Sequence, residues 1–244
     1  MPLLADDTLD PSTTRSKFGF THVSLDSLTG TQYVLVRLSY DVSGSTGGFT
    51  AQTLKLIRTV VEGLRLNPAT LDTVLLSICE FNSSLSEVHG FVPVRSIDPA
   101  HYQEPVAGGC TVLYDSMLSS WEALATLGKD MVQQDFDVAL VNIHITDGID
   151  VGSRYLPRNS ADLKATLIRQ EQYSTVTSVL LGINVEDAEV KRFLSDLKST
   201  GAFDHYESVD DASPESISKL VGIIVSTSVS ASQSFGQTNA QTTF

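Results

Sequence analysis

Three oxygen-bearing side chains alternate in Asp41-Val42-Ser43-Gly44-Ser45, directly after an apolar run, Val34-Leu35-Val36 and Leu38, that only Arg37 interrupts. Two further loops carry the same type of atom. Thr111 follows the pair Gly108-Gly109, and Asp147 lies in Thr146-Asp147-Gly148 after the apolar stretch 136–145. Carboxylate and hydroxyl oxygens are the donors that a hard cation such as Mg²⁺ prefers. The competing reading spends the same residues on local structure. Asp41 and Ser43 are favoured helix caps, and Asp147-Gly148 is a common turn pair.

These loops need elements that bring them together. An apolar run closed by a Gly/Ser turn reads as a buried strand of a parallel sheet. In open α/β sheets, ligands sit beyond the C-terminal ends of the strands. The pattern predicts strands at 18–25, 33–40, 74–81, 88–94, 136–145, 176–183 and 203–209. A turn at 28–31 would fold the first of these as a hairpin onto the second, and a tight turn at 82–84 would pair 74–81 with 88–94. Helical spacing recurs from about 49 to Asn67-Pro68, from Thr111 through Trp121 and Leu127, over 161–173, over 187–199, and from Ser213-Pro214 to about 228. Strand and helix alternate without a linker or an internal repeat. The fold class expected is therefore α/β: a Rossmann-like, doubly wound, mainly parallel central sheet flanked by helices, with one antiparallel edge strand. The expected organisation is a flexible N-terminus at 1–17, one domain at 18–228 with a β extension at 18–32, and a disordered Ser/Gln/Thr-rich tail at 229–244.

Composition narrows the class. The chain has 244 residues, 41% of them hydrophobic, which suits one large α/β domain with a substantial core. A net charge of −13 argues against nonspecific binding to nucleic acid or anionic membrane. No stretch reaches the ~18 consecutive apolar residues of a membrane helix, and residues 1–17 lack the basic start and apolar stretch of a signal peptide. Cys79 and Cys110 fit no metal or redox spacing, so a cytoplasmic, reduced location is expected.

DVSGS after an apolar strand, GGCTVLYDS after a Gly-Gly turn, and ITDG after a later apolar strand together resemble the three parts of the metal-ion-dependent adhesion site (MIDAS) of von Willebrand factor A (vWA) domains. The resemblance extends over roughly 33–228. It implies that Ser43 and Ser45 bind the metal through their hydroxyls and that Thr111 supplies a third hydroxyl in some states. It further implies that Asp41 and Asp147 act mainly through bound waters and orient the serines. A first shell of neutral hydroxyls and waters leaves the ion much of its charge. One coordination position then stays open for an Asp or Glu carboxylate of a partner protein. Mg²⁺ suits such a shell, with Mn²⁺ or Ca²⁺ as alternatives. Among relatives, the sequence most resembles stand-alone bacterial and phage vWA proteins of the tellurium-resistance and stress-response type, which implies neighbours such as a phosphatase, a kinase or an ATPase. Asp115 reads as a first-turn helix stabiliser, and Cys110 as a small packing residue. Arg37, in a strand that should be central, either pairs with Glu80 or reaches a sheet edge.

Other chemistries fit less well. A haloacid-dehalogenase-type phosphatase needs a second carboxylic acid where Ser43 stands. The serines lie in no G-x-S-x-G elbow, and the five histidines are scattered, with His144 reading as packed rather than catalytic. SGSTGG lacks the lysine of a phosphate-binding loop. The expected function is metal-dependent protein binding without catalysis. The alternative is a structural subunit that self-associates through the same site.

Overall fold

In a computed structural model, residues 12–14 and 19–235 are described. The expectations for 1–11, 15–18 and 236–244 lie outside the described residues. Eight strands form one sheet: β1 (Ser12–Thr14), β2 (Phe20–His22), β3 (Gln32–Asp41), β4 (Val74–Phe81), β5 (Leu85–Pro93), β6 (Asp137–Thr146), β7 (Thr175–Gly182) and β8 (His205–Ser208), in the order β1-β2-β5-β4-β3-β6-β7-β8. From β4 through β8 in that order the strands run parallel, and β5 is antiparallel to β4. The helices are α1 (Thr50–Leu66), the short α2 (Pro68–Leu71), α3 (Leu113–Val132), α4 (Pro157–Arg169), α5 (Ala188–Ser199) and α6 (Pro214–Gln233). Among the described residues, no helix is long and apolar enough to cross a membrane.

Strand β3 is central because it is buried on both faces from Tyr33 to Asp41. Its alternation sorts the domain into two layers. Val34, Val36, Leu38 and Tyr40 join α1 and α6 in one apolar cluster. On the other face, Tyr33 and Leu35 pack under α3 with Trp121, Leu124 and Leu127. Farther along that face, Phe81, Leu113, Met117 and Leu180 form a separate cluster with α5. Between these two clusters the interior is polar: Arg37, Ser39, Ser77, Asn142, His144, Ser116 and Ser120 are all nearly or fully buried. Ser39 and Ser120 are linked hydroxyl to hydroxyl at 3.0 Å, and His144 lies 3.2 Å from the Ser116 hydroxyl.

Three expectations are corrected. Arg37 pairs with Glu87 of β5 at 3.2 Å, not with Glu80. Arg37 lies opposite Ser77, whereas Glu80 lies opposite Tyr40 on the other face, where it accepts from the Tyr40 hydroxyl at 3.3 Å. The Arg37 guanidinium also donates to Ser77 Oγ and to Cys79 Sγ. The N-terminal extension forms no hairpin with β3. Instead β2 crosses to the far side of β5, where His22 lies opposite Phe91, and Val23 N–H donates to Phe91 O at 3.0 Å. Glu87 holds it there, accepting from the Thr21 N–H at 3.1 Å and from its hydroxyl at 2.6 Å. Gly90 permits the crossing, since a Cβ there would stand 1.9 Å from Thr21 O. Finally, α6 runs to Gln233, beyond the expected end at 228. Ser228 and Ala231 are buried, and the Ser232 hydroxyl donates to Ala69 O of α2.

Candidate metal centre

Strands β3 and β6 are neighbours, so their C-terminal ends bring Asp41 and Asp147 to the same edge of the sheet. Asp41, 4% exposed, is the deep end of the group. One of its oxygens accepts from the Ser43 N–H at 2.8 Å, a local bond that folds the DVSGS turn. The other accepts from the Thr146 hydroxyl at 2.7 Å, which ties the β3 turn to the β6 turn. The two serine hydroxyls are 3.1 Å apart, and Ser45 Oγ donates to Asp147 Oδ1 at 2.8 Å. Ser43 is buried while Ser45 is exposed, so the row of oxygens runs from the interior out to solvent.

The capping alternative does not account for these hydroxyls. Ser43 stands before a 3₁₀ turn, Gly44–Gly48, but makes no side-chain cap bond, and α1 begins only at Thr50. The two hydroxyls face one another instead, and that of Ser45 donates to Asp147.

Thr111 arrives by a different route. It precedes α3, is 6% exposed, and is set beside the group by backbone bonds. Gly44 N–H donates to Gly109 O at 3.1 Å, and Val151 N–H donates to Thr111 O at 2.7 Å. Four of the five expected residues are therefore joined by hydrogen bonds, with the fifth on the adjoining loop. Cys110 is exposed, and its N–H donates to Ser83 Oγ at 2.8 Å.

Sequence reasoning missed the residues that hold this loop. Val112 at the start of α3 makes no side-chain cap bond. The cap comes from the segment after β6: Asp150 accepts from Tyr114 N–H at 3.0 Å, and Ser153 Oγ from Asp115 N–H at 3.2 Å. In return the buried Asp115 carboxylate accepts from the N–H groups of Arg154 and Tyr155 at 2.8 and 3.0 Å. The Thr111 loop and the Asp147 loop thus clamp each other. Thr146 was missed as well; the one available signal was its place beside Asp147 at a strand end.

The electrostatics suit a cation. Burial, and then the nearby Asp41 charge, push the Asp147 carboxyl up to about 6, although the Ser45 bond acts in the opposite sense. Burial likewise raises Asp41, against its bonds to Thr146 and Ser43. Two carboxylates held together without a counter-charge are the arrangement a divalent ion relieves. Oxygens at adjacent corners of a Mg²⁺ octahedron stand about 3 Å apart, and the 3.1 and 2.8 Å separations at Ser45 are of that size. The donors are all oxygen; among the described residues no group of three or more His, Cys, Asp or Glu is placed to hold a metal. A separate cavity of about 300 Å³, lined by Tyr40, Glu80, Tyr102 and Glu104 among others, contains none of the five residues.

No protein-family profile matches this sequence, and no curated protein matches it. Solved structures do match in fold. Proximal thread matrix protein 1 from the mussel byssus, in a form with a zinc-occupied MIDAS motif, aligns with a TM-score of 0.52 at 16% identity, covering 82% of this chain and 46% of that one. A von Willebrand factor type A protein from Catenulispora acidiphila aligns with a TM-score of 0.55 at 14% identity, covering 88% and 44%. The pilus adhesin SpaC from Lactobacillus rhamnosus GG, in an open conformation, aligns with a TM-score of 0.61 at 11% identity, covering 91% and 33%. The chain spans about half or less of each of these proteins. At such identities the likeness is one of fold, and the fold is the vWA-like α/β fold.

Proposed function

We propose that this protein is a metal-dependent protein-binding module. Asp41, Ser43, Ser45, Thr111 and Asp147 would hold a divalent cation, Mg²⁺ by the hardness of the oxygen donors, with Mn²⁺ or Ca²⁺ as substitutes. The ion would present an open position to an Asp or Glu carboxylate of a partner. The observation that carries this reading is the chain of oxygens from buried Asp41 through Ser43 and Ser45 to Asp147. The protein's net charge of −13 would repel an acidic partner without the ion, so metal occupancy would decide capture. Structural neighbours described as a matrix protein with a MIDAS motif, a pilus adhesin and a minor pilin agree with an interaction role. They lend no support to the tellurium-resistance setting or to a cytoplasmic location.

The experiment is thermal unfolding with and without Mg²⁺. The wild-type protein is expected to gain stability on addition of the ion, and Ser43→Ala/Ser45→Ala is expected to lose that gain. A double variant that responds to Mg²⁺ as the wild type does would overturn the ligand assignment.

A further inference from the structure

The surface around the site is apolar on two sides. Six large hydrophobic side chains are exposed among the described residues, and four of them, Val106, Ile149, Val151 and Leu156, lie on the two loops that frame the site. Val151 is bonded through its N–H to Thr111 O, and the Val106 loop reaches the DVSGS turn through the Gly108 N–H, which donates to Val42 O at 2.9 Å. The Asp115–Asp150–Ser153 clamp spends its polar groups inward and leaves Ile149 and Val151 facing solvent. On the opposite flank a groove of about 510 Å³ starts at Ser45. Its walls include the exposed Pro214 and half-buried Ala212 over the buried Phe49 and Ile217, and it contains both the exposed Lys55, which has no ion pair among the described residues, and the exposed carboxylate of Asp211. The site is therefore bordered by apolar side chains, and its groove carries one cation, Lys55, and one carboxylate, Asp211.

This chain itself carries carboxylates set among apolar side chains. Residues 3–10 read Leu3-Leu4-Ala5-Asp6-Asp7-Thr8-Leu9-Asp10: adjacent carboxylates with leucines on both sides. Its own site is out of reach. Ser12 lies opposite His22, which lies opposite Phe91, and that places Ser12 level with Arg37 near the middle of β3. From β1 to β6 there are five strand spacings, about 24 Å, and Asp147 lies about 16 Å farther along the strands than the level of Arg37, so the diagonal to it is roughly 29 Å. From Ser12, Asp7 can extend at most about 18 Å and Asp6 about 21 Å.

Building on the metal-site reading, we propose that the site takes the 3–10 segment of a second copy of this chain, through Asp6 or Asp7. Donor segment and acceptor site lie on different parts of the molecule. The contact is therefore heterologous, and repetition gives an open string of subunits rather than a closed dimer.

The test has two arms. Sedimentation of the full chain in Mg²⁺ should show mass rising with protein concentration, and chelation should return it to the monomer. Asp6→Asn/Asp7→Asn should remain monomeric in Mg²⁺ while keeping the full Mg²⁺-dependent thermal shift. In the second arm, that monomeric variant is titrated with a synthetic peptide of residues 1–10. Binding should require Mg²⁺, and it should weaken at least tenfold when the peptide's Asp6 and Asp7 are Asn and by a smaller factor in Lys55→Gln. A thermal shift with Mg²⁺ but no peptide binding and no assembly would overturn this inference and leave the metal site standing. Absence of any Mg²⁺ shift would overturn the metal-site reading itself. Assembly that survives in Asp6→Asn/Asp7→Asn would assign the contact to another surface and overturn the inference.

Discussion

The two faces of the sheet are built by different rules. The α1/α6 face is a single apolar cluster whose β3 members are Val34, Val36, Leu38 and Tyr40. The α3 face breaks its apolar packing in the middle with Arg37, Ser39, Asn142 and His144. Asp41 and Thr146 continue that polar row along β3 and β6 to the edge where the candidate metal centre lies. Dispersion and burial hold one face together with no directional demand. The other face is held by groups that must meet particular partners. The difference teaches where function is anchored: the apolar face supplies bulk stability, and the polar row sets positions.

The largest effect should come from cutting each face at β3. Arg37→Ala leaves Glu87, 20% exposed, without its cation. Removing one partner of a buried pair costs about 3–5 kcal/mol, and here it also loosens the bonds by which Glu87 holds Thr21. Leu38→Ala, wholly buried on the other face, should cost about 2–5 kcal/mol through lost transfer energy and a cavity. Denaturant midpoints measure both. Hydrogen exchange should separate them: the Val23 amide, bonded to Phe91 O, should exchange much faster in Arg37→Ala than its stability loss accounts for, but not in Leu38→Ala. Equal exchange at Val23 in the two variants would break the comparison.

A smaller effect appears with pH, and each face carries a buried histidine that burial keeps neutral. Burial lowers His89 to about 4 and His144 to about 3. Between those values and about 6.5 the unfolded chain binds a proton that the folded chain refuses. Stability from these groups is thus complete above about 6.5 and falls as pH drops. His89 Nδ1 lies 2.8 Å from Gly90 O and must donate, so Nε2 accepts from the Tyr102 hydroxyl at 2.7 Å; protonation would set donor against donor. From pH 7 to pH 5 each histidine should account for about 2 kcal/mol. Unfolding at the two pH values in His89→Gln and in His144→Gln should show a loss shallower than wild type by that amount in each. If only one variant flattens the profile, the two faces differ in their proton sensitivity too.

Much of the fold was legible because β3, β4 and β6 are long apolar runs ending in polar turns, and the ends of β3 and β6, with the Gly-Gly turn before α3, supplied the five candidate residues. The path of the N-terminal extension was not legible. Its pairing depends on Glu87, 66 residues away, and on the missing side chain of Gly90. The end of α6 was hidden by a composition that mimics a solvated tail. Inside the helix the Ser228 hydroxyl bonds back to Ile224 O at 3.0 Å, and Ser232 docks on α2, so polar residues sit there at little cost. Asp150 and Ser153 stood in no periodic pattern. Their role exists only because the fold sets them against the first turn of α3.

The smallest effect on stability, and the sharpest on function, belongs to the clamp at the end of the polar row. Asp115→Ala would remove the acceptor of the Arg154 and Tyr155 N–H groups. That segment borders solvent, so water replaces much of the loss and the cost should be about 1 kcal/mol. Position is the larger casualty. Thr111 is held by Val151, whose loop the clamp secures, and a ligand that wanders by an ångström contributes little to an ion of strict geometry. Mg²⁺ affinity, read by calorimetry, should fall about tenfold, equivalent to ~1.4 kcal/mol. Leu38→Ala, though it costs more stability, should leave that affinity unchanged under conditions where it is folded. Asp115→Asn offers a control, since both N–H bonds go to a single Asp115 oxygen and an amide oxygen can replace it; affinity should recover most of the way. If Asp115→Ala bound Mg²⁺ as tightly as wild type, the clamp would be scaffolding alone and the polar row would end at Thr146.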